Sequence, residues 1–225
     1  APPTPTPGGK GGDPVRKLDR TAVPAPSCLA RYSHRHNRWE DLEGEDKEPI
    51  RDALRTVQND LCAYCEGSLG DESHIEHFCR RRDFPDRIFT WENLFLSCSA
   101  QEHCGHYKDR SGASYNPADL VKPDEDNPDE FLYFSSGGDV RPRGNIAAAQ
   151  RRKAEETIRI LNLNHGVLQA FRRRALATYR GLEPNILEAL EGFEEAIRRQ
   201  FIDEEIARTA IDPYSAVIRH FFEAM

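Results

Sequence analysis

Apolar residues in this chain recur at helical intervals near its start and over its final third, and at strand intervals only in short pieces between. In EDKEPIRDALRTVQNDL (45–61), Ile50, Leu54, Val57 and Leu61 are spaced by four, three and four, which is one face of an amphipathic helix. This helix runs straight into Cys62, so its apolar face is expected to pack beneath the cysteines that follow. From Cys62 to Lys108 the elements are short: a turn at EGSLGD, a strand around Ser73 to His77, a loop, and a turn at WENL. NPADLVKPDEDNPDE (116–130) reads as a Pro- and Asp-rich loop. FLYFSSGGDVRPR (131–143) reads as a hairpin in which Gly137 and Gly138 supply positive backbone angles. The rest is helical. NIAAAQRRKAEETIRILNLN carries Ile158 and Leu161, HGVLQAFRRRALATYRGL continues in the same register, PNILEALEGFEEAIRRQFIDEEIA opens near Pro184, and DPYSAVIRHFFEAM closes the chain. No internal repeat is present. The expected fold class is α+β, predominantly helical, with a small metal-bearing centre between an N-terminal helix and a C-terminal helical region.

Three segments follow from this pattern. Residues 1–14, APPTPTPGGKGGDP, hold too little apolar surface to offset the entropy of ordering and are expected to form a flexible tail. Residues 15–115 hold the first helix and the cysteine-rich core, and residues 116–225 hold the loop, hairpin and helices, a surface suited to docking a partner.

With 225 residues, 38% hydrophobic and 31% charged, the chain can bury a core. No apolar run approaches eighteen residues and the start does not resemble a secretory leader, so the expectation is a cytoplasmic protein with no membrane association. A net charge of −7 argues against gripping nucleic acid by bulk electrostatics, which needs many cations on phosphates. Local basic runs occur at 80–82 (RRR), 151–153 (RRK) and 172–174 (RRR), the last two read as solvated helix faces.

The chemistry concentrates in LCAYCEGSLGDESHIEH (61–77) and WENLFLSCSAQEHCGHYKD (91–109). Cys62 and Cys65 have the two-residue spacing that aims both thiolates at one tetrahedral zinc, and Cys98 with Cys104 completes a four-thiolate structural set at wider spacing. Four paired thiols in a polar, turn-rich stretch fit an apolar core poorly, whereas Cys28 and Cys79 read as spectators. In HIEHF, Glu76 offers a hard oxygen ligand for a divalent cation, and His77 a proton acceptor near neutral pH. Phosphodiester hydrolysis needs both functions. Strand alternation would put His74 with Glu76 on one face and His77 on the other, so the two share a site only if the strand ends or bulges there, and His74 is a rival ligand. His106 is expected to point back towards His77 and complete the cation site and Lys108 to meet phosphate, with Arg80 as a second phosphate contact. His103 reads as a surface residue, and Asn93 suits tying the loop down so that His77 faces the metal.

Together CAYC, HIEHF, WENLFLSC and CGHYK resemble the His-Asn-His (HNH) endonucleases with a ββα-metal fold, most like the nuclease subunit of Septu-type antiphage systems, also found with some retrons. The likeness extends through VRKLDRTAVPAPSCL, IRDALRTVQNDLCAYCE and TIRILNLNHGVLQAFRRRAL, from about Val15 to Leu176. It implies His77 as general base, Asn93 as loop-fixing residue, and Glu76 and His106 as ligands of a catalytic Mg²⁺ or Mn²⁺ beside a structural Zn²⁺. It also implies a nucleic-acid substrate, DNA ahead of RNA, and an ABC/SMC-like ATPase partner that could hold that substrate for an acidic nuclease subunit. The chain departs from the family pattern twice: Cys79-Arg80 stands where Arg-Pro is usual, and Gly105 where an Asn often follows the last cysteine. Two other readings compete. A non-catalytic zinc-bearing module for nucleic acid or protein gives no role to the adjacent carboxylate and imidazole; a helical interaction subunit with a degenerate core would lack His77 or the distal ligand.

Overall fold

The first helix ends because Asn59 and Asp60 both adopt left-handed backbone angles, φ 51° and 56°, which turn the chain back under the helix towards Cys62. This is α1 (Gly44–Gln58) of a computed structural model that describes residues 17–110, 114–180 and 190–224. The expected tail at 1–14 and the helix start at Pro184 lie outside the described residues. Ile50 and Leu54 are fully buried, as their spacing requires. Gln58 carries the brace further: its amide nitrogen donates to Leu61 O (2.8 Å) and Leu96 O (2.9 Å), and its oxygen accepts from Leu96 N (2.8 Å).

Leu96 belongs to β2 (Leu94–Ser97), which pairs antiparallel with β1 (His74–His77); His74 faces Ser97 and His77 faces Leu94. All of β2 is buried. A one-turn helix, α2 (Cys104–Lys108), follows. The expected hairpin is β3 (Leu132–Phe134) with β4 (Val140–Pro142). Of its two glycines only Gly138 takes a positive φ, 90°, and a Cβ there would lie 2.4 Å from Gln169 O, so the turn is pressed against a later helix.

Helix α3 (Ala148–Ile160) does not continue into the next in one register, contrary to expectation. Asn162, at φ 48°, breaks it before α4 (Gly166–Ala175) and α5 (Ala177–Arg180). The break is used, since Cys104 N donates to Leu161 O (2.8 Å) and so seats the second cysteine pair on the end of α3. After α6 (Glu195–Thr209), the chain closes with α7 (Ser215–Glu223). Glu66, in the cysteine knuckle, accepts from Ala216 N (3.0 Å) through its carboxylate and from Tyr214 N (3.1 Å) through its carbonyl. Residues from Leu18 to Phe222 share one apolar core, so the described C-terminal helices pack on the centre they follow.

Candidate metal and catalytic site

The knuckle forms because Glu66 adopts a left-handed φ of 68°, letting Cys62 N bond Gly67 O (2.8 Å) and Gly67 N donate to Cys65 Sγ (3.4 Å). Cys98 N donates to Cys62 Sγ (3.5 Å) from the far side. The ligand sulphurs of Cys62, Cys65, Cys98 and Cys104 all lie within 4.8 Å of one another. Hydrogen bonds from Cys104, Cys62 and Cys65 pull the Cys98 thiol far below its ordinary range, while burial pushes Cys104 up. Four sulphurs this close, three on buried residues and Cys98 half-buried, cannot all ionise unless a cation shares their charge, and soft thiolates in a closed set suit Zn²⁺. The quartet fits the ion.

Two cationic or polar neighbours of this cluster escape the sequence pattern. His103 is buried, and its Nδ1 lies 3.2 Å from Cys104 Sγ and 3.8 Å from Cys98 Sγ, so it is not the surface residue expected. Arg172 is 1% exposed where a solvated face was expected, and its Nη1 donates to Gly138 O (3.0 Å) and Leu163 O (2.7 Å). Burial lowers its pKa to about 10, opposed first by the charges of Cys65 and Cys104. A His or Arg inside a short basic or Cys-rich run was the only available signal.

The strand keeps strict alternation without a bulge, so Glu76 and His77 point to opposite faces and do not meet in one site, contrary to the shared site expected. Glu76 turns towards α2 with His74, whose Nε2 lies 3.3 Å from Glu76 Oε2. Both crowd Gly105: a Cβ there would sit 2.5 Å from Glu76 Oε2 and 2.9 Å from His74 Nε2. Glycine therefore stands at 105 because these two side chains fill the space an Asn would take. His106 stacks on His74 at 3.9 Å between ring centroids. Glu76 is 2% exposed, and its pKa falls to about 2; burial pushes it up, but Lys108 and then His74 outweigh that. Carboxylate and imidazole converging over Gly105, with His74 Nδ1 buried and unpartnered, form a donor set that suits a divalent cation. Among the described residues, only the four cysteines already form a closed ligand set.

His77 faces the other way, against the ring of Trp39 at 4.4 Å in an edge-on contact. Its Nε2 lies 3.0 Å from Ile88 O. A carbonyl only accepts, so Nε2 carries the hydrogen and Nδ1 is the nitrogen able to take a proton. Burial, against the pull of Glu76, lowers its pKa to about 4. Asn93 ties the loop as its amide allows: Oδ1 accepts from Cys79 N (2.7 Å), and Nδ2 donates to Cys79 O (3.1 Å) and Arg87 O (3.0 Å).

Lys108 and Arg80, expected to meet phosphate, are buried and held by internal partners. Lys108 Nζ contacts Glu76 Oε1 (2.7 Å), His77 O (3.0 Å) and Asp109 Oδ1 (2.5 Å). Arg80 donates to Lys108 O (2.5 Å) and pairs with Asp83 and Asp109. Neither presents a cation to a phosphate in this conformation.

Fold and site define a small mixed helix-and-sheet protein with a largely buried four-cysteine centre and a strand that carries a carboxylate and two imidazoles. No family model matches the chain. It is similar, 28% identical over 144 residues covering 60% of the chain and 67% of the relative, to a protein of retron Vc95 from Vibrio cholerae serotype O1 biovar El Tor whose name assigns it by inference to the HNH endonucleases. It is also similar to the Septu protein PtuB of Bacillus thuringiensis, 29% identical over 125 residues, 52% of the chain and 42% of that relative. A third likeness is to Septu protein PtuB of Bacillus mycoides (strain KBAB4), 23% identical over 198 residues, 75% of the chain and 65% of the relative. The matches thus span from about two fifths to two thirds of the curated relatives' lengths. The expected likeness to HNH-type Septu and retron proteins stands, at modest identity. No described helix is long and apolar enough to cross a membrane.

Proposed function

We propose that this chain is a metal-dependent HNH endonuclease that hydrolyses nucleic-acid phosphodiester bonds with His77 as general base. The observation that supports the reading is the His77 imidazole, held in one tautomer by Ile88 O (3.0 Å), on the face of β1 opposite a buried carboxylate that gathers with His74 and His106 near Gly105, so that base and cation ligands flank one short strand. His77 Nδ1 takes the proton of the attacking water. Asn93 holds the loop that presents Ile88, and so holds the ring's tautomer. Glu76, with His74 and His106 beside it, would hold Mg²⁺ or Mn²⁺, which when bound supplies stabilisation of the charge growing on phosphate and leaving oxygen. Cys62, Cys65, Cys98 and Cys104 would hold Zn²⁺ as a structural ion. The antiparallel β1–β2 pair followed by α2 supports assignment to the ββα-metal class. By likeness to the Septu and retron proteins, the chain would be the effector nuclease of a cytoplasmic antiphage complex with an ATPase partner.

The test is cleavage of plasmid DNA and of cellular RNA by the purified chain, alone and with its genomic neighbour, in Mg²⁺ or Mn²⁺. His77→Ala should lose about 10²–10⁴-fold of the activity, the usual worth of a positioned proton acceptor, while zinc content and folding survive. Full activity in folded His77→Ala protein sinks the mechanism. The second reading, a zinc-bearing module without catalysis, is favoured by the burial of His77 behind Trp39, at 4% exposure. Zinc-loaded, folded protein that cuts neither substrate with either cation or with its neighbour would leave that reading standing.

A further inference from the structure

With Lys108 and Arg80 internal, a polyanionic substrate must find its cations elsewhere, on a chain whose net charge is −7. A groove of about 530 Å³ is lined by Trp39, whose ring meets His77 edge-on, and His77 itself is not in its lining. The exposed side chains of Arg38, Arg81 and Arg82 line it, with His34 and Asn37 at one end. Arg35 and His36 are exposed in the same loop, so residues 34–38, three of which line the groove with Arg81 and Arg82, hold two arginines and two histidines. The opposing acids are Glu40, paired with Arg81 at 2.6 Å, Asp83, paired with Arg82 at 3.3 Å, and Asp109, committed to Lys108 (2.5 Å) and Arg80 (3.4 Å). The groove is basic on a protein that is not.

One aromatic side chain, Trp39, lines it, backed by two further rings. Trp39 stacks on Phe89 at 6.0 Å, Phe89 stacks on Tyr32 at 5.4 Å, and the edge contact with His77 is made from this same Trp39 ring. Ile88, whose carbonyl fixes the His77 tautomer, lines the groove as well. Guanidinium groups beside a half-buried tryptophan are the two elements that hold a nucleic-acid strand without reading its sequence, one on phosphates and the other on a base face.

We propose that this groove seats a nucleic-acid strand, with Arg38, Arg81 and Arg82 on its phosphodiester backbone and Trp39 against a base, one side chain away from His77. The assignment of the strand rests on the nuclease reading, but binding can be measured apart from cleavage. Trp39 is then the wall that separates substrate from base, and a strand that shifts its ring uncovers His77.

The test is fluorescence anisotropy of labelled oligodeoxythymidylate and oligouridylate with the full chain and no added divalent cation, over a salt series. The triple substitution Arg38→Ala, Arg81→Ala, Arg82→Ala should weaken binding at least about tenfold and reduce the salt slope by about 2, since each phosphate contact on a single strand contributes about 0.7. Glu40→Gln, which releases Arg81, should tighten binding, and Trp39→Phe should abolish the tryptophan quenching seen on binding. Arg151→Ala with Arg152→Ala, on the exposed face of α3, should change nothing. The two oligomers decide between DNA and RNA. The proposal fails if wild type binds neither, if the folded triple variant keeps affinity and slope, or if the α3 pair weakens binding as much. A chain that cuts without needing these arginines keeps the nuclease reading and loses the groove; one that binds through them and never cuts does the reverse.

Discussion

The ammonium of Lys108 lies 2.7 Å from Oε1 of Glu76, with the two side chains 0% and 2% exposed. The same nitrogen donates to His77 O at 3.0 Å, so one buried cation fixes both the carboxylate and the backbone of the residue beside it. Removing one partner of such a pair leaves the other charge uncompensated in a dry interior, which costs about 3–5 kcal/mol. Lys108→Met should therefore lower stability by that order in urea unfolding. Pairing it with Glu76→Gln should restore much of the loss, because no bare charge then remains. Additive losses in the double variant would mean that the ion pair is not what Lys108 contributes.

Gly105 makes the same corner testable by shape. Gly105→Ala puts a methyl group 2.5 Å from Glu76 Oε2, and overpacking of this kind costs about 1–3 kcal/mol. Shortening the carboxylate in Gly105→Ala, Glu76→Asp should recover part of that cost, and thermal unfolding of the two single variants and the double one reads the coupling. Equal melting of Gly105→Ala and the parent would show that Glu76 is not held against α2.

The Lys108–Glu76 pair also marks where the sequence stopped being legible. The helical face of Ile50 and Leu54, the strand at His74–His77 and the hairpin around Gly138 were visible because burial imposes periods of 3.6 and 2 on local sequence. The cysteine quartet was visible because metal geometry imposes its own spacing. What Lys108, Arg80 and Arg172 do was not, since a cation's burial depends on carbonyls and carboxylates brought from remote segments, such as Gly138 O to Arg172. Alternation did place His74 beside Glu76, and the opposite facing of His77 followed from the same rule. Trp39 was passed over because its neighbours 31–38 carry no periodicity, only a density of Arg and His.

Zinc should be held at about one ion per chain by elemental analysis, the stoichiometry of a single four-thiolate site. Cys62→Ser with Cys98→Ser should release it and lower thermal stability, because such binding is coupled to folding. Arg172 sets a finer expectation. The charges that most favour its cationic form are those of Cys65 and Cys104, and a zinc bound by four thiolates carries net negative charge. Arg172→Met should then lose zinc to a chelator faster than the parent, and Arg172→Lys should fall between. Unchanged zinc release with lowered stability would assign Arg172 to Gly138 O and Leu163 O alone.

The closing helix is held by a half-buried carboxylate, which gives a dependence on pH. Asp129 pairs with Arg219 at 2.7 Å, and its side chain is 14% exposed. Phe134 N donates to His220 Nδ1 at 2.9 Å, so the hydrogen on Nε2 faces Asp129 Oδ1, 3.3 Å away. Burial pushes the Asp129 carboxyl up, but the His220 hydrogen bond and Arg219 outweigh it and bring the carboxyl from 3.8 to about 2. A depressed carboxyl stabilises the fold above its unfolded value and loses that contribution as pH falls through its folded one, so the window runs from about pH 4 down to about pH 2. That lowering corresponds to about 2 kcal/mol. Urea midpoints of the parent should fall across that window. Asp129→Asn should be less stable at pH 7 by about that amount and should show a shallower fall between pH 4 and 2. If the variant's midpoints ran parallel to the parent's through the whole window, Asp129 would not be the group that ties α7 to the hairpin.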